Sequence, residues 1–232
     1  MGKRIISQAR GKGSMTYRVR RAAYSHKVSY PIGEKKGIIL DIVKSAGHSA
    51  PLIKVKTGSG IFFNVAFDGA VQGQEVIIED GEAREGNILR IKDIPVGTKI
   101  FNIERNPGDG GKMIRSSGSS ATINKIYEFN KVGILMPHRK EVKLDGNCRA
   151  TIGIIAGDGR KQKPFLKAGR RYHKMKARGK LYPRISAVSV NAIDHPFGSG
   201  RGKRIKSKTA KRNAPPGRRV GHLRPRKTGK KR

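Results

Sequence analysis

The residues with the clearest chemistry are lysines and arginines that stand next to glycine. They occur at residues 10–13 (RGKG), 168–171 (AGRR) and 200–204 (GRGKR). Arg and Lys neutralise phosphates, and the planar guanidinium of Arg also holds a phosphate through two hydrogen bonds. Glycine has no side chain, so the backbone around it can approach another chain closely. The combination indicates binding to a phosphate-rich polymer.

The adjacent pair Asp194 and His195, within residues 191–200 (NAIDHPFGSG), is the best candidate for proton transfer. A carboxylate can orient an imidazole for that task. Because no nucleophile is placed to work with the pair, we favour an RNA contact and keep catalysis as an alternative. The other histidines show no metal-ligand spacing, and the single cysteine, Cys148, is interpreted as a small core residue. The sequence therefore predicts neither a metal nor a cofactor.

A glycine-rich segment at residues 106–112 (NPGDGGK) lacks the Gly-Lys-Ser/Thr ending of a nucleotide-binding loop. We expect instead a tight turn whose backbone N–H groups face an RNA phosphate. Five tyrosines lie in the basic regions, where stacking on bases and packing against the folded part are both open: Tyr17, Tyr24, Tyr30, Tyr172 and Tyr182.

The charge is distributed very unevenly. The chain has 52 Lys and Arg against 16 Asp and Glu, for a net charge of +36. Residues 1–36 carry +9, residues 37–157 only +3, and residues 158–232 carry +24. A compact chain with that charge repels itself, so it requires a polyanion. The pattern therefore predicts a near-neutral folded middle with two ends that bind nucleic acid.

RNA is the polyanion that the sequence favours. No apolar stretch approaches the roughly 18 residues that span a bilayer, and the start of the chain lacks a signal peptide, so we expect a cytoplasmic protein without a membrane partner. The chain shows no helix-turn-helix, zinc-finger or zipper pattern for reading DNA. Folded RNA offers crevices that an extended basic tail can fill.

The sequence of the near-neutral middle predicts ten strands. Its apolar runs are rich in branched residues, have strand length, and are separated by turn signals such as Asp-Gly and Pro-Gly. They lie at residues 37–43, 52–56, 61–67, 75–79, 88–91, 99–103, 121–127, 132–135, 141–144 and 150–155. Ten strands are too many for one small barrel, so we predict an all-β fold of two tandem barrels, at residues 37–95 and 96–157. The Pro and Gly of residues 93–97 mark the boundary between them.

The two ends are predicted to be largely irregular extensions, at residues 1–36 and 158–232. One short helix is expected over residues 163–176. Residues 198–232 consist mainly of Gly, Pro, Lys and Arg, and they cannot bury enough apolar surface to offset the entropy of ordering. We therefore expect this tail to be disordered until RNA orders it.

Several motifs, in order along the chain, resemble the universal L-two family of large-subunit ribosomal proteins. They are residues 2–8 (GKRIISQ), 96–98 (VGT), 107–111 (PGDGG), 115–118 (RSSG), 148–153 (CRATIG), 167–170 (KAGR) and 190–198 (VNAIDHPFG). Phe197 and Ser199 replace a His and a Gly that are common in bacterial members, and the N-terminal arm is shorter than in bacterial forms. The chain thus resembles the archaeal version of the family rather than the eukaryotic one.

The resemblance implies an OB-fold barrel followed by an SH3-like barrel, with both extensions buried in large-subunit ribosomal RNA. It also implies a place near the peptidyl transferase centre, with roles in subunit association, tRNA binding and peptide-bond formation. The partners that it implies are ribosomal RNA, other large-subunit proteins, tRNA and the small subunit. Asp194 and His195 would support the centre without catalysing a reaction, because RNA carries out the chemistry in that family.

Combining the motifs with the charge map gives a set of predicted RNA contacts. They are Lys3, Arg4, Arg10, Lys12, Arg18, Arg20, Arg21, Lys112, Arg115, Arg149, Lys167, Arg170, Arg171, Lys174, Arg178, His195, Arg201, Lys203 and Arg204. Two alternatives remain beside a structural ribosomal protein. One is a free RNA-binding translation factor or RNA chaperone, and the other is an enzyme that uses Asp194 and His195.

Overall fold

The computed structural model describes residues 4–200 and 209–223. It divides the chain into two compact units. The larger unit is Arg20–Ala168, and the smaller unit joins the two ends of the chain, Met1–Val19 and Gly169–Arg232. The predicted contacts Lys3, Arg201, Lys203 and Arg204 lie outside the described residues.

The larger unit is built from ten β-strands. Every strand overlaps one of the ten apolar runs, so the predicted all-β class is confirmed. The strands are β1 (Lys36–Val43), β2 (Leu52–Lys56), β3 (Ile61–Val65), β4 (Glu75–Glu79), β5 (Ile88–Arg90), β6 (Lys99–Phe101), β7 (Ala121–Tyr127), β8 (Lys131–Leu135), β9 (Glu141–Asp145) and β10 (Arg149–Ile152).

The strands form one continuous hydrogen-bonded series in the order β3-β2-β1-β4-β5-β10-β6-β7-β8-β9. Neighbours are antiparallel except β4 and β5, which pair in parallel through Ile78 opposite Ile88. Two β-bulges interrupt the register, between Ile39 and Asp41 on β1 and between Ile123 and Lys125 on β7. A bulge increases the local twist and bends the strand, which helps a small sheet to close on itself.

Two hydrophobic cores fill this unit. The first core contains Ile39, Leu52 and Val55 of the early strands, and the second contains Ile123, Val132 and Ile134 of the later ones. Each of these six side chains is fully buried. Burying a Val, Leu or Ile side chain stabilises the folded state by about 1.5–3 kcal/mol, so each core can support its own layer of strands.

The two cores share their central strands. On β5, Ile88 packs in the first core and its neighbour Leu89 in the second; on β6, Ile100 packs in the second core and Phe101 in the first. Successive side chains of a strand point to opposite faces, so β5 and β6, with β10 paired between them, form a wall between the cores. The barrel boundaries at residues 37–95 and 96–157 stay a prediction. Each core contains side chains from both ranges, since Leu89 packs in the second core and Phe101 in the first.

A buried polar network lies along this wall. The hydroxyl of Tyr30 donates to the backbone oxygen of Asn102 and also meets Thr151 Oγ1, both at 2.7 Å. Asn64 donates to Thr151 at 3.0 Å, and Asn102 donates to Asn64 at 2.8 Å. Burial raises the pKa of Tyr30 well above its ordinary value, so the hydroxyl stays protonated and bonded. Fully bonded networks of this kind fix one arrangement of the strands that contribute to them.

Part of the predicted N-terminal extension belongs to the core. Residues Arg21–Tyr24 form a 3₁₀ turn whose Ala23 is buried, and Val28 and Tyr30 pack in the first core. Ser29 donates its N–H to the backbone oxygen of Phe63 at 3.1 Å. The arm is thus attached to β3 before β1 begins, which the scattered apolar residues of this segment did not indicate.

The smaller unit contains two helices and a short strand pair. Helix α1 is Ile6–Gly11, helix α2 begins at the unit boundary and is Ala168–Ala177, and strands β11 (Thr209–Ala210) and β12 (His222–Leu223) pair in parallel. The Arg10 guanidinium donates to the backbone oxygen of Gly179 at 3.4 Å. Among the described residues, no helix is both long and apolar enough to cross a membrane.

Helix α2 confirms that a helix forms where one was predicted, although it starts five residues later than residue 163. Pro164 explains the delay, because proline disfavours helical geometry in the residue before it and supplies no N–H for the helix interior. Phe165 and Leu166, inside the predicted range, lie exposed before the helix.

Candidate nucleic-acid interface

Most of the predicted RNA contacts in the described part of the chain are exposed. Arg10, Lys174, Arg178 and His195 are half-buried in the smaller unit, whereas Arg115 is half-buried and Arg149 buried in the larger one. The exposed members are Arg4, Lys12, Arg18, Arg170 and Arg171 in the smaller unit, and Arg20, Arg21, Lys112 and Lys167 in the larger unit.

The smaller unit has an extreme charge imbalance. Residues 1–19 and 169–232 contain 27 Lys and Arg, and their only acidic side chain is Asp194. One carboxylate cannot neutralise 27 cations, so this unit repels itself unless an external polyanion supplies negative charge. Contacts with a nucleic-acid backbone relieve the repulsion and release the counterions of the phosphates.

Helix α2 concentrates this charge on a regular element. Arg170, Arg171, Lys174 and Lys176 lie along its ten residues, no residue of the helix is buried, and its first turn has no acidic residue. Like charges three or four positions apart destabilise an isolated helix. Two cations lie over tyrosine rings, Arg171 at 5.3 Å from the Tyr182 centroid and Lys176 at 5.6 Å from the Tyr172 centroid. The remaining faces of these cations are available to phosphates.

The segment around His195 is held as a tight turn. Its backbone oxygen accepts the N–H of Gly198 at 2.9 Å, and its Nδ1 accepts the N–H of Phe197 at 3.0 Å. Because Nδ1 is an acceptor here, the neutral ring carries its proton on Nε2, which can donate to a phosphate or a base. Asp194 therefore cannot orient the ring through an Nδ1–H bond, which is the arrangement that the catalytic alternative requires.

A concavity of about 470 Å³ opens beside this turn in the smaller unit. Arg4, Arg218 and His195 supply polar groups to its lining, and Ile193 and Pro196 supply apolar surface. Gly217 has a positive φ of 89° and lets Gln8 lie against its backbone, where a Cβ would come within 2.9 Å of Gln8 Oε1. The lining combines cationic and apolar groups, as nucleic-acid contacts do.

Arg149 has an internal role. It is buried, and its guanidinium donates to Glu104 Oε1 at 3.1 Å and to the backbone oxygen of Pro31 at 2.6 Å. Glu79 lies 3.4 Å away and also pairs with Arg90 at 3.6 Å. With these bonds made, the guanidinium has little capacity left for a phosphate, so its predicted RNA contact stays a prediction that the geometry does not support.

Arg115 is also engaged inside the protein. Its Nε donates to Asn102 Oδ1 at 2.7 Å, and its Nη2 donates to the backbone oxygens of Val28 and Gly111. Burial lowers the pKa of this guanidinium from its ordinary value. The side chain therefore connects the glycine-rich loop to the polar network between the cores. Since its Nε and Nη2 donors are used in these internal bonds, its RNA contact stays a prediction that the geometry does not support.

The glycine-rich loop at residues 106–112 does not offer its N–H groups to a phosphate, so that prediction is wrong. Glu104 accepts from the N–H of Gly108 at 3.2 Å and of Gly110 at 3.0 Å. The carboxylate of Asp109 accepts from the N–H groups of residues 105, 106 and 111. The N–H of Asp109 itself donates to the backbone oxygen of Asn106, and the N–H of Lys112 donates to the backbone oxygen of Ile103. Every N–H of the loop therefore has a partner within the protein, and two carboxylates take the place of the expected phosphate. Lys112, the one cation of the loop, is exposed and can contact RNA.

Cys148 is fully buried in the second core, as predicted for a core residue. Burial raises the pKa of its thiol to about 11, so the thiolate is a negligible species near neutral pH. No group of three His, Cys, Asp or Glu side chains is arranged to bind a metal ion within residues 4–200 and 209–223.

Three features were missed in the sequence. Lys176 belongs to the basic helix and could have been found because it lies inside the predicted helix, residues 163–176. Arg218 lines the concavity beside His195, and the Pro-Pro-Gly turn before it was the available signal. Phe129 is exposed at the tip of a hairpin. The sequence places it between two predicted strands but does not indicate that its ring is exposed.

Comparison with known proteins supports the resemblance. A family model described as Ribosomal Proteins L2, C-terminal domain, matches residues 84–217. The large ribosomal subunit protein uL2 of Archaeoglobus fulgidus is 44% identical over 239 residues, and that of Methanococcoides burtonii is 44% identical over 238. The uL2 protein of Methanothermobacter thermautotrophicus is 41% identical over 242 residues, and all three alignments cover 100% of both chains. The similarity therefore includes both basic ends.

Proposed function

The chain belongs to the archaeal-type uL2 family of large-subunit ribosomal proteins, and from that membership we propose that it is a structural constituent of the large ribosomal subunit. The family is structural, so the chain is not a classical enzyme. Its place is the ribosome of the cytoplasm, among ribosomal RNA and other large-subunit proteins.

The finer role that we propose is binding of large-subunit ribosomal RNA near the peptidyl transferase centre. There the protein supports subunit association, tRNA binding and peptide-bond formation, with tRNA and the small subunit as neighbours. The motif at residues 190–198 supports this placement through its resemblance to the family, and the Nε2–H of His195 is the group that donates to RNA in our proposal.

The observation that carries the proposal is the charge imbalance of the smaller unit, with 27 basic side chains and one acidic one. The contact set that we propose therefore rests on the exposed and half-buried cations. It comprises Arg4, Arg10, Lys12, Arg18, Arg170, Arg171, Lys174, Lys176, Arg178 and Arg218 in the smaller unit, with Arg20, Arg21, Lys112 and Lys167 in the larger one.

Sedimentation of a cell extract tests the proposal directly. A structural constituent remains with the large subunit after a high-salt wash, because many phosphate contacts inside folded RNA have to break together. A free translation factor or RNA chaperone makes fewer contacts and is released at modest salt. Release of the chain into the unbound fraction at modest salt would therefore refute the structural role.

A further inference from the structure

The hairpin between β7 and β8 ends in an unusual residue. Phe129 is 91% exposed, which makes it the most exposed large apolar side chain in the described part of the chain. Its φ is +56°, and the φ of the next residue, Asn130, is +54°. Two successive positive values are typical of hairpin turns that prefer Asn-Gly or Gly-Gly. Asn130 suits that geometry, whereas an aromatic residue rarely adopts it.

Asn130 holds the tip of the hairpin in place. Its backbone oxygen accepts the N–H of Gly146 at 2.7 Å, and its side-chain amide donates to Asp145 at 3.2 Å. Gly146 makes this approach possible, since a Cβ there would lie 2.4 Å from Asn130 Oδ1. Lys131 also pairs with Asp145, at 3.3 Å. Phe129 is therefore presented from a fixed base, which reduces the entropy lost when the ring binds a partner.

The surroundings of the tip favour a nucleobase as that partner. Tyr127, two residues before Phe129, has Lys143 Nζ at 4.1 Å and Lys125 Nζ at 5.4 Å from its ring centroid. The hydroxyl of Tyr127 donates to Glu141 at 2.7 Å. The carboxylates of Glu141 and Asp145, on β9, thus accept hydrogen bonds from the hairpin, while Lys125 and Lys143 are exposed.

A protein partner would normally bury an aromatic anchor together with apolar neighbours. Phe129 instead lies between Glu128 and Asn130, both exposed, with lysines on the adjoining strands. A base needs only a flat face to stack against an aromatic ring, and its phosphates need cations near by. Ile126 is the one large apolar side chain of β7 that is exposed, so the ring, with polar residues on both sides of it in the chain, fits RNA better than protein.

We propose that Phe129 stacks on an unpaired base of large-subunit ribosomal RNA, with Lys125 and Lys143 beside the adjoining phosphates. The inference rests on the proposed function and adds a contact in the larger unit, outside the basic extensions. It also explains why the hairpin holds an aromatic residue in a turn position that favours Asn or Gly.

The test compares full-length wild type with Phe129→Asn, using deproteinised large-subunit ribosomal RNA as the probe. Asn adopts the positive φ readily, so the variant should unfold at the same temperature as wild type or higher. Affinity should fall by about 5- to 150-fold, the range for loss of one stacked base. One nucleotide whose 2′-hydroxyl reactivity wild type suppresses should become reactive again, and Phe129→Tyr should restore both properties.

Val71→Asn is the matched control, because Val71 is an exposed apolar residue in a turn between β3 and β4. This variant should bind the RNA with the same affinity as wild type. Unchanged affinity and reactivity in Phe129→Asn would overturn the stacking proposal. So would loss of a protein neighbour from the assembled subunit with RNA binding intact. If wild type itself fails to bind this RNA, the proposed function fails instead, which separates the two results.

Discussion

Arginine has two distinct roles in this chain, and the environment of each side chain decides which one applies. Arg149 is buried against Glu104, whereas Arg170 and Arg171 are exposed on a helix without a carboxylate in its first turn. The sequence groups all three together as predicted RNA contacts, because Arg149 and Arg170 stand in family motifs and Arg171 belongs to the basic run at residues 168–171. The difference appears only when the fold brings Glu104 next to Arg149 from 45 residues away.

Glu104→Gln tests the internal role. Each carboxylate oxygen of Glu104 accepts two hydrogen bonds. Oε1 accepts from the Arg149 guanidinium and the N–H of Gly110, and Oε2 accepts from the backbone N–H groups of Arg149 and Gly108. A glutamine NH₂ group cannot accept, so two of these bonds are lost and the Arg149 charge loses its nearest carboxylate. We expect the free energy of unfolding to fall by about 3 kcal/mol, measured by urea denaturation without RNA.

Glu82→Gln provides the comparison, since Glu82 pairs with Arg84 at 2.8 Å and both side chains are about three-quarters exposed. Such a surface pair contributes about 0–1 kcal/mol, so this variant should remain within about 0.5 kcal/mol of wild type. Equal effects of the two substitutions would show that Glu104 does not organise the glycine-rich loop.

At the scale of elements, the strands could be predicted from the sequence, whereas the way in which the two cores share strands could not. Runs of branched residues bounded by Asp-Gly and Pro-Gly turns marked all ten strands, because period-two burial and turn chemistry are local properties. That Ile88 and Leu89 serve different cores depends on which strands close around them, which is a property of the tertiary fold. The bonding of the N–H groups of residues 106–112 was mispredicted for the same reason, since the local sequence does not show that Glu104 is buried beside them.

Helix α2 carries a prediction of its own. Replacing Arg170 and Arg171 with Gln removes two charges, and Gln has a helix propensity close to that of Arg. The slope of log K against log salt for binding large-subunit ribosomal RNA should become shallower by about 1.5, since each phosphate contact contributes about 0.7–0.9. Arg84→Gln, in the near-neutral middle, should leave the slope unchanged. A wild-type slope in the double variant would remove α2 from the interface.

At the scale of the molecule, stability and binding are assigned to different parts of the chain. The larger unit holds both hydrophobic cores and 15 of the 16 acidic residues, so it can fold on its own contacts. The smaller unit has little buried apolar surface and a large excess of cations. A chain divided in this way should lose RNA affinity stepwise as its basic ends are altered, while its folded core is unaffected.

Deletion of residues 198–232 tests this division. The deletion removes 15 Lys and Arg and no acidic residue. We expect weaker binding to large-subunit ribosomal RNA and a flatter salt dependence, because fewer phosphates are neutralised. The unfolding temperature of the larger unit should stay the same, since no described residue beyond Ala156 packs in its cores. A full-length variant with Gln at those 15 positions separates the effect of charge from the effect of chain length, and it should bind like the deletion.

An unchanged salt slope in either variant would contradict the role assigned to the tail. A large fall in the unfolding temperature would contradict the independence of the larger unit.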